Sequence, residues 1–315
     1  MGRRRQRRGQ RVDGLLLLDK PVGLTSNAAL QKAKRLFKAA KAGHTGSLDP
    51  LASGLLPICF GEATKVSGFL LDADKEYEVV LQFGCQTATG DREGEVVARS
   101  DARPASEAAF AAVLADFEGE IEQLPPMYSA LKHEGRRLYE LARAGRTVER
   151  QPRRVRIERL ELLGFEPDAA RLRVRCSKGT YVRTLVEDIA RACGCLAHVV
   201  ALRRTRVGCF EAGQMIGFPA LEAAAAGGEA ALQRLLRPVD AALADWPALE
   251  LGGQQAYFLL QGHAVSGAAG RRPGHVRLYA ADRRFLGIGE VLGDGRVAPR
   301  RLIRQSPADV GRQAS

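Results

Sequence analysis

The chain has 315 residues, of which 45% are hydrophobic and 27% charged, a composition typical of globular proteins and a length that favours two domains. Its net charge is +12, and six arginines lie within residues 1–11, so the remainder of the chain carries +6. A basic body behind a basic arm is typical of proteins that bind polyanions such as nucleic acid. From charge alone, a solubility tail on an ordinary enzyme explains the pattern about equally well.

The sequence contains no segment that indicates a membrane or a metal. No apolar run reaches the roughly 20 residues of a membrane-spanning helix, and Leu15–Leu18 is too short for a signal peptide. We therefore expect a cytoplasmic protein without a membrane partner. No metal site is predicted, because no CxxC pair occurs among the six cysteines: Cys59, Cys85, Cys176, Cys193, Cys195 and Cys209.

The first half of the chain predicts alternating strands and helices. Residues 1–11 are predicted to be a disordered basic arm, since the arginines repel each other and nothing apolar can pack. A buried strand is expected over 12–19, then a helix with Ser26 as its N-cap. The stretch 43–61, punctuated by glycine and proline, fits no single regular element. A second helix at 62–71 and a half-buried strand at 75–83 follow.

The second half predicts a basic insertion and a small C-terminal module. An insertion at about 124–152 is rich in Lys and Arg, and strands are expected at 154–165, 171–177 and 198–202. Arg171, Arg173 and Arg175 share one strand face, which is either solvated or faces RNA. After Trp246-Pro247 the pattern changes to short strands with glycine turns. We predict a catalytic domain at 12–248, a β-rich module at 249–305 and a tail at 306–315.

The most unusual segment is GHTGSLDPLASG, residues 43–54, in which glycines and a proline surround one histidine and one acid. Taken alone, an aspartate before proline such as Asp49 is most often a turn residue. Sequence signatures of other chemistries are missing, including the GxSxG elbow, the phosphate-binding GK dipeptide and the HExxH zinc motif. No cofactor is therefore predicted.

Several segments together resemble one family in the same chain order, from about residue 12 to 303. The chain resembles the bacterial tRNA pseudouridine synthase B family in GLLLLDKP (14–21), GHTGSLDPLASG (43–54), ICFGEATK (58–65), DKEY (74–77), PMYSALK (126–132), CSKGTYVR (176–183), AHV (197–199), LRR (202–204) and GRVAPRRL (295–302). The resemblance implies a mixed α/β pseudouridine synthase fold around an antiparallel sheet, followed by a PUA-like module. It also implies a cofactor-free isomerisation of uridine 55 in the T-loop of tRNA, by a monomer that needs no protein partner.

The same resemblance assigns residue roles. Asp49 matches the catalytic aspartate and Arg183 the arginine that pairs with it. Tyr77 matches the tyrosine that stacks on the target base and helps to remove a proton. The remaining matches concern substrate binding: the loop-stacking histidine, two residues that line the uracil pocket and a basic residue near its floor, which are His44, Tyr181, Leu202 and Lys20.

The chain departs from the family at one turn and leaves other functions open. Where the family often has Thr-Asp-Thr, this sequence has Thr87-Ala88-Thr89, so we expect one local interaction of that turn to be missing. One alternative is a non-catalytic protein that binds or folds RNA, but the presence of Asp49 and Arg183 favours catalysis. A guide-RNA-dependent enzyme like dyskerin is another, against which the basic insertion speaks.

Overall fold

The computed structural model describes residues 9–304, in which the chain forms two large β-sheets with helices packed against them and two small sheets of two strands each. Its strands are β1 (Gly14–Lys20), β2 (Ala42–His44), β3 (Ser53–Phe60), β4 (Lys75–Phe83), β5 (Cys85–Thr87), β6 (Val96–Arg99), β7 (Gly119–Gln123), β8 (Lys132–His133), β9 (Arg136–Arg137), β10 (Arg153–Glu166), β11 (Ala169–Cys176), β12 (Ala197–Val207), β13 (Phe210–Glu211), β14 (Ala248–Leu251), β15 (Gly274–Ala280), β16 (Phe285–Val291) and β17 (Val297–Leu302). Its α-helices are α1 (Ser26–Leu36), α2 (Ser67–Asp72), α3 (Glu107–Ala115), α4 (Leu138–Arg143), α5 (Val182–Ala192), α6 (Phe218–Ala226), α7 (Glu229–Gln233) and α8 (Gly253–Leu260). Short 3-10 helices occupy Gly61–Lys65, Ala212–Gln214 and Val239–Leu243.

The larger sheet has nine strands and forms the body of the protein. Seven of them lie in the order β1-β3-β12-β4-β11-β10-β7, while β2 pairs with β3 and β13 with β12. Neighbours are antiparallel except β3 and β12, which run parallel for two residue pairs. The predicted mixed α/β fold around an antiparallel sheet is therefore confirmed, with this one parallel contact added.

The body is held together by apolar side chains that alternate along the strands and recur at helical spacing. Val79 on β4 and Leu172 on β11 are fully buried against Leu185 and Ile189, which lie one turn apart on α5. Helices α1, α3 and α6 add residues to the same cluster. Burying such side chains contributes about 1.5–3 kcal/mol each, which makes this face of the sheet the main source of stability.

Thr25, not Ser26, is the N-cap of α1. The Thr25 side chain accepts a hydrogen bond from the Ala28 N–H at 3.1 Å. The Ser26 hydroxyl instead donates to the Leu48 carbonyl at 3.0 Å and accepts from the Leu48 N–H at 2.7 Å. The residue predicted to start the helix therefore fastens it to the loop that carries Asp49.

The stretch 43–61 forms no single regular element, as predicted, but it includes β3, a strand inside the large sheet that the pattern did not reveal. All seven residues of β1 pair with β3, and β2 and β12 pair with it as well. Pro57 lies in this strand and has no N–H to donate, and proline in a sequence argues against a central strand. The proline and the glycines explain why the sequence pattern did not predict this strand.

The C-terminal module has the β-rich character that the sequence predicts. Its sheet has the order β14-β15-β16-β17, and α8 packs over it around a separate apolar cluster. Trp246, which precedes the module, links it to the body: its ring lies 4.7 Å from that of Phe69 on the body and 5.0 Å from that of His275 on β15. Lys65 also donates to the Leu302 carbonyl at 2.7 Å, and the Arg304 N–H donates to Glu62 at 2.6 Å.

The N-terminal arm is only partly within the described residues. Residues 1–8 and the predicted tail at 306–315 lie outside them. At the end of the arm, the Gln10 N–H donates to the Lys38 carbonyl and the Ala40 N–H to the Gln10 carbonyl, both at 2.8 Å. The predicted disorder therefore does not extend to Gln10. Across residues 9–304, no helix is long and apolar enough to cross a membrane.

Replacing Gly54 with alanine is expected to destabilise the body strongly. Gly54 has φ +99°, and a Cβ there would lie 2.2 Å from the Arg204 carbonyl oxygen, where β3 passes β12. Relieving that clash requires the two strands to separate, so we expect a loss of about 3 kcal/mol or more in unfolding free energy. Gly164→Ala is the control, since a Cβ on this strand glycine meets no atom within 4 Å. Urea denaturation measures both, and equal stability of the two variants would contradict the prediction.

Candidate active site

Asp49 lies on a loop between β2 and β3 that is fixed at several points. The Gly23 N–H donates to the Pro50 carbonyl at 2.8 Å, and the Ala52 N–H donates to the Asp49 carbonyl at 3.1 Å. Arg204 holds the other end of the loop through the Gly46 carbonyl at 3.1 Å. The Asp49 side chain remains 43% exposed, so its carboxylate is accessible while its backbone is held in place.

Arg183 is the ion-pair partner of Asp49, as predicted. It lies in the first turn of α5, and its side chain is 7% exposed. Its Nη2 lies 3.0 Å from Asp49 Oδ2 and also donates to the Tyr128 carbonyl at 2.8 Å. Its Nη1 donates to the Thr89 carbonyl, and its Nε lies 3.8 Å from Asp91 Oδ2. The guanidinium therefore joins the Asp49 loop to three other points of the chain.

Asp91 is a second carboxylate of the site, and the sequence analysis did not assign it a role. It is buried, and its Oδ1 accepts from the Thr89 hydroxyl at 2.6 Å and the Glu93 N–H at 3.1 Å. The Thr87 hydroxyl donates to the Asp91 carbonyl at 2.6 Å. Both threonines thus hold the turn, while Ala88 is exposed. The departure at Ala88 does not abolish the turn. In the sequence, an aspartate two residues after Thr89 is typical of a turn, because its carboxylate can accept hydrogen bonds from neighbouring groups. This pattern could have identified Asp91.

The surroundings of Asp49 oppose its ionisation. Partial burial of the carboxyl raises its pKa above the ordinary value, and Arg183 counteracts this without cancelling it. Asp91 adds to the rise, and Lys20 lowers it. The loop therefore holds a carboxyl group whose ionised form is disfavoured by its surroundings. A pKa perturbed in this way is a common property of reactive acids.

Lys20 lies beneath this loop, at the end of β1. It is fully buried, and its Nζ donates to the Pro21 carbonyl at 2.8 Å and the Leu24 carbonyl at 2.6 Å. Burial lowers its pKa to about 8, against the attraction of Asp49 and Glu93. The predicted basic residue near the floor is therefore electrostatically coupled to Asp49.

Tyr77, Leu202 and Arg204 share one face of the large sheet. Tyr77 is paired with Arg204 across β4 and β12, and Leu202 lies two residues before Arg204, so their side chains point the same way. The Tyr77 hydroxyl is hydrogen-bonded to Arg204, and burial raises its pKa. Tyr77 is therefore a neutral phenol at neutral pH. The position of Leu202 on this face agrees with the predicted apolar pocket wall.

Arg204 was missed as an individual site residue. Its side chain is among the largest that are fully buried, and its Nε donates to the Leu55 carbonyl at 2.7 Å. With its bonds to Gly46 and Tyr77, it connects β3, β4 and the Asp49 loop. A charged residue at an inward position of an apolar strand was the signal that would have found it.

His44 and Tyr181 lie at the other predicted positions around the loop. His44 ends β2, and its buried Nδ1 has no hydrogen-bond partner among the described residues. Burial, followed by the charges of Arg204 and Arg137, lowers its pKa, so the imidazole is neutral. Tyr181 precedes α5, where its N–H donates to Gln123 Oε1 at 3.0 Å, and burial raises the pKa of its phenol.

The arginine row on β11 does not form an open basic surface. Arg173 lies 3.0 Å from Glu78 and 3.3 Å from Glu161. Arg175 lies 2.8 Å from Glu158. These pairs neutralise Arg173 and Arg175, which fits a solvated, salt-bridged face, whereas Arg171 is exposed and forms no ion pair within residues 9–304.

Three family models match consecutive parts of the chain. They describe the TruB family pseudouridylate synthase N-terminal domain (residues 34–182), the tRNA pseudouridylate synthase B C-terminal domain (183–244) and the pseudouridine synthase II TruB C-terminal domain (247–303). The fold and the carboxylate site therefore place the chain among the pseudouridylate synthases.

Comparison with curated relatives identifies the family within the pseudouridylate synthases. The chain is 57% identical to tRNA pseudouridine synthase B of Ectopseudomonas mendocina, covering 93% of this chain and 96% of the relative. It is 52% identical to tRNA pseudouridine synthase B of Nitrosococcus oceani, covering 96% and 98%. The chain belongs to the TruB family. Among solved structures, a chain of a Cbf5-Nop10-Gar1 complex superposes with a TM-score of 0.71 at 26% identity, over 94% of this chain and 86% of that one.

The two carboxylates near Arg183 are expected to respond oppositely when made neutral. A raised native pKa means that ionised Asp49 destabilises the folded state above that pKa, and the effect vanishes as the pH falls through it. Asp49→Asn should therefore raise the melting temperature at neutral pH, and the gain should shrink in acid. Asp91→Asn should lower it, because one acceptor oxygen of a buried, hydrogen-bonded carboxylate is removed. Thermal unfolding between pH 4 and 8 measures both; a destabilised Asp49→Asn would refute this account.

Proposed function

We propose that this chain isomerises uridine 55 in the T-loop of tRNA to pseudouridine, with Asp49 as the catalytic carboxylate. The observation that supports this most directly is the pairing of an accessible Asp49 with the buried guanidinium of Arg183 at 3.0 Å. Membership of the TruB family and the curated relatives named tRNA pseudouridine synthase B supply the substrate class.

The reaction needs no external electron donor or acceptor. The N1–C1′ bond of uridine breaks, the C5–C1′ bond forms, and a proton leaves C5 while N1 gains one, so the composition is unchanged. Asp49 supplies an aimed carboxylate to the ribose or the base, or assists a glycal route; the residues are compatible with each. Tyr77 is proposed to stack on the uracil and to relay the C5 proton as a neutral phenol. Arg183 acts as a positioning residue for Asp49.

The uridine is proposed to leave its loop before it reacts, because C5 and C1′ are inaccessible in a stacked base. Leu202 and Tyr181 provide apolar and aromatic surface for the uracil faces, next to Lys20 at the floor. A neutral imidazole stacks without the cost of desolvating a charge, which suits His44 to the space that the base vacates.

The insertion at 124–152 is proposed to hold the tRNA backbone at the T-arm. Within residues 9–304, Arg136, Arg137 and Arg143 form no ion pair, in contrast to Arg173 and Arg175 on the sheet. The guanidinium carbons of Arg137 and Arg143 lie 5.9 and 5.6 Å from the centre of the Tyr139 ring, which orders them as a group. Exposed cations without a carboxylate partner favour phosphate as their ligand.

We further propose a cytoplasmic, monomeric enzyme that acts without a protein partner, with a catalytic domain at 12–248 and a PUA-like module at 249–305.

Two other functions predict different experimental results. A guide-RNA-dependent enzyme would be inactive alone, and the Cbf5 relative was solved in a complex with other proteins. A non-catalytic RNA-binding protein would bind tRNA without forming pseudouridine.

The deciding experiment compares the purified chain with its Asp49→Asn variant on unmodified tRNA. The wild-type chain alone is expected to release tritium from C5-labelled uridine at position 55. Asp49→Asn keeps the shape but removes the charge, so it should bind tRNA and lose turnover at least about a thousandfold. Pseudouridine mapping identifies the position. Substantial turnover by the variant, or an inactive wild-type chain that binds tRNA, would contradict the proposal.

Substitutions that neutralise single arginines test whether the insertion binds the tRNA backbone. Arg137→Gln and Arg143→Gln should each weaken tRNA binding and reduce the slope of log Kd against log salt, by about 0.7–0.9 for each phosphate that is no longer contacted. Arg173→Gln removes the same charge from the sheet, where Glu78 and Glu161 already neutralise it, and serves as the matched control. Binding titrations between about 50 and 300 mM KCl measure the slopes. An effect of Arg173→Gln as large as that of Arg137→Gln would mean that the insertion does not bind the tRNA backbone.

A further inference from the structure

A buried glutamine joins the strand that precedes the insertion to the start of α5. Gln123 is the last residue of β7 and is 1% exposed. Its Oε1 accepts from the Tyr181 N–H at 3.0 Å, and its Nε2 donates to the Tyr181 carbonyl at 3.4 Å. Both ends of one side-chain amide therefore hold the backbone of one residue, the N-cap of α5.

Gln123 occupies a strand position at which an apolar side chain is expected. Alternate residues of a strand share a face of the sheet. Ile121, two residues earlier, packs against the apolar core of the body, and Gln123 is more deeply buried than Ile121. Burying an amide costs free energy unless its polar atoms are hydrogen-bonded. Packing alone therefore does not explain a glutamine here, whereas its two bonds to Tyr181 do.

Helix α5 has no side-chain cap of its own. Its N-cap position, where serine, threonine, asparagine or aspartate usually bonds the first turn, holds Tyr181, which makes no such bond. The Tyr181 carbonyl accepts from the Leu185 N–H at 3.0 Å, within the first turn of the helix, as well as from Gln123. Gln123 therefore fixes the place at which α5 begins.

Two side chains of the proposed site depend on where α5 begins. Arg183 lies in the first turn of the helix, and its Nη2 lies 3.0 Å from Asp49 Oδ2. The Tyr181 phenol lies near the same ion pair: burial raises its pKa, and among the smaller influences Arg183 lowers this pKa and Asp49 raises it. Because the backbone of α5 carries both side chains, a shift of the helix start moves both of them relative to Asp49.

We propose that Gln123 is a positioning residue for the isomerisation, which holds the start of α5 and thereby places Tyr181 and Arg183 beside Asp49. This inference rests on the proposed function and deepens it. Gln123 acts through Tyr181 and takes no part in the chemistry itself. A displacement of about 1 Å in the active site can lower a rate about a hundredfold, so a buried residue behind the site can have a large effect.

Gln123→Met tests the proposal, because methionine has a similar length but forms neither bond to Tyr181. Pseudouridine formation in unmodified tRNA is measured in single turnovers with saturating enzyme in excess, so that the rate constant does not depend on the folded fraction. The rate constant is expected to fall about 10- to 100-fold. The Kd for tRNA should change less than about threefold, because the proposed phosphate contacts of the insertion are retained.

The dependence of this rate constant on pH separates positioning from general support of the fold. Partial burial raises the pKa of Asp49 and Arg183 lowers it, with smaller contributions from Asp91 and Lys20. A less well placed Arg183 lowers this pKa less, so the acidic limb of the pH profile should move to higher pH in Gln123→Met. A role confined to stability would lower the melting temperature and leave this limb in place.

Gln255→Met is the matched control, because Gln255 also binds backbone groups with both ends of its amide, at the start of α8 in the C-terminal module. Its Oε1 accepts from the Gly252 N–H at 3.0 Å, and its Nε2 donates to the Ser266 carbonyl at 2.8 Å. Gln255→Met should keep the wild-type rate constant. If Gln123→Met melts below the assay temperature, Gln123→Glu, which keeps an acceptor for the Tyr181 N–H, should still lower the rate constant about 3- to 10-fold.

Three results would overturn the proposal. They are a rate constant within about twofold of wild type in the folded Gln123 variant, an acidic limb that does not move, and an equal loss of rate in Gln255→Met. An inactive wild-type chain would instead refute the proposed function, which separates the two failures.

Discussion

The arrangement of the active site depends on one buried cation, the guanidinium of Arg183. Its side chain is almost fully enclosed, so its positive charge is tolerated only because acceptors surround it. Asp49 and Asp91 provide carboxylates, and Thr89 and Tyr128 provide carbonyls. Removing the guanidinium would leave both carboxylates without their cation, and losing the buried member of an ion pair in this way typically costs about 3–5 kcal/mol. The Asp49 loop, the turn at 87–94 and the insertion are therefore arranged around a single charge.

A second buried guanidinium, that of Arg204, carries out the corresponding task on the other side of the loop. It holds Gly46 and Leu55 by their carbonyls and bonds the Tyr77 hydroxyl. Burial lowers the pKa of His44, Lys20 and Lys75, and the positive charge of Arg204 lowers each of them further. The two arginines differ in what they hold, since Arg183 faces the carboxylate of Asp49, whereas Arg204 bonds the backbone of β3 and of the loop.

Much of this site could be predicted from the sequence, because the motifs that resemble the family each lie within a few consecutive residues. Asp49, Arg183, Tyr77 and Lys20 were predicted in this way, and the structure places Arg183 and Lys20 beside Asp49. Asp91 and Arg204 were not assigned, because their roles come from contacts between segments far apart in the chain. In the fold, alternation identified β4 and β11, but β3 escaped because Pro57 interrupts its pattern. Neither the strand propensity of the residues nor the alternation of apolar side chains shows which strand will lie next to it in the sheet.

Two of the contacts that dock the C-terminal module use backbone atoms at the end of the module and side chains of the body. Lys65 bonds the Leu302 carbonyl, and Glu62 accepts from the Arg304 N–H. These two contacts depend on the course of the chain and not on the identity of its side chains. A substitution at position 304 can therefore leave its bond to Glu62 intact, whereas Glu62 and Lys65 on the body are constrained, because their side chains supply the other half of each bond. Side-chain change is thus tolerated on the module's half of this contact and not on the body's half.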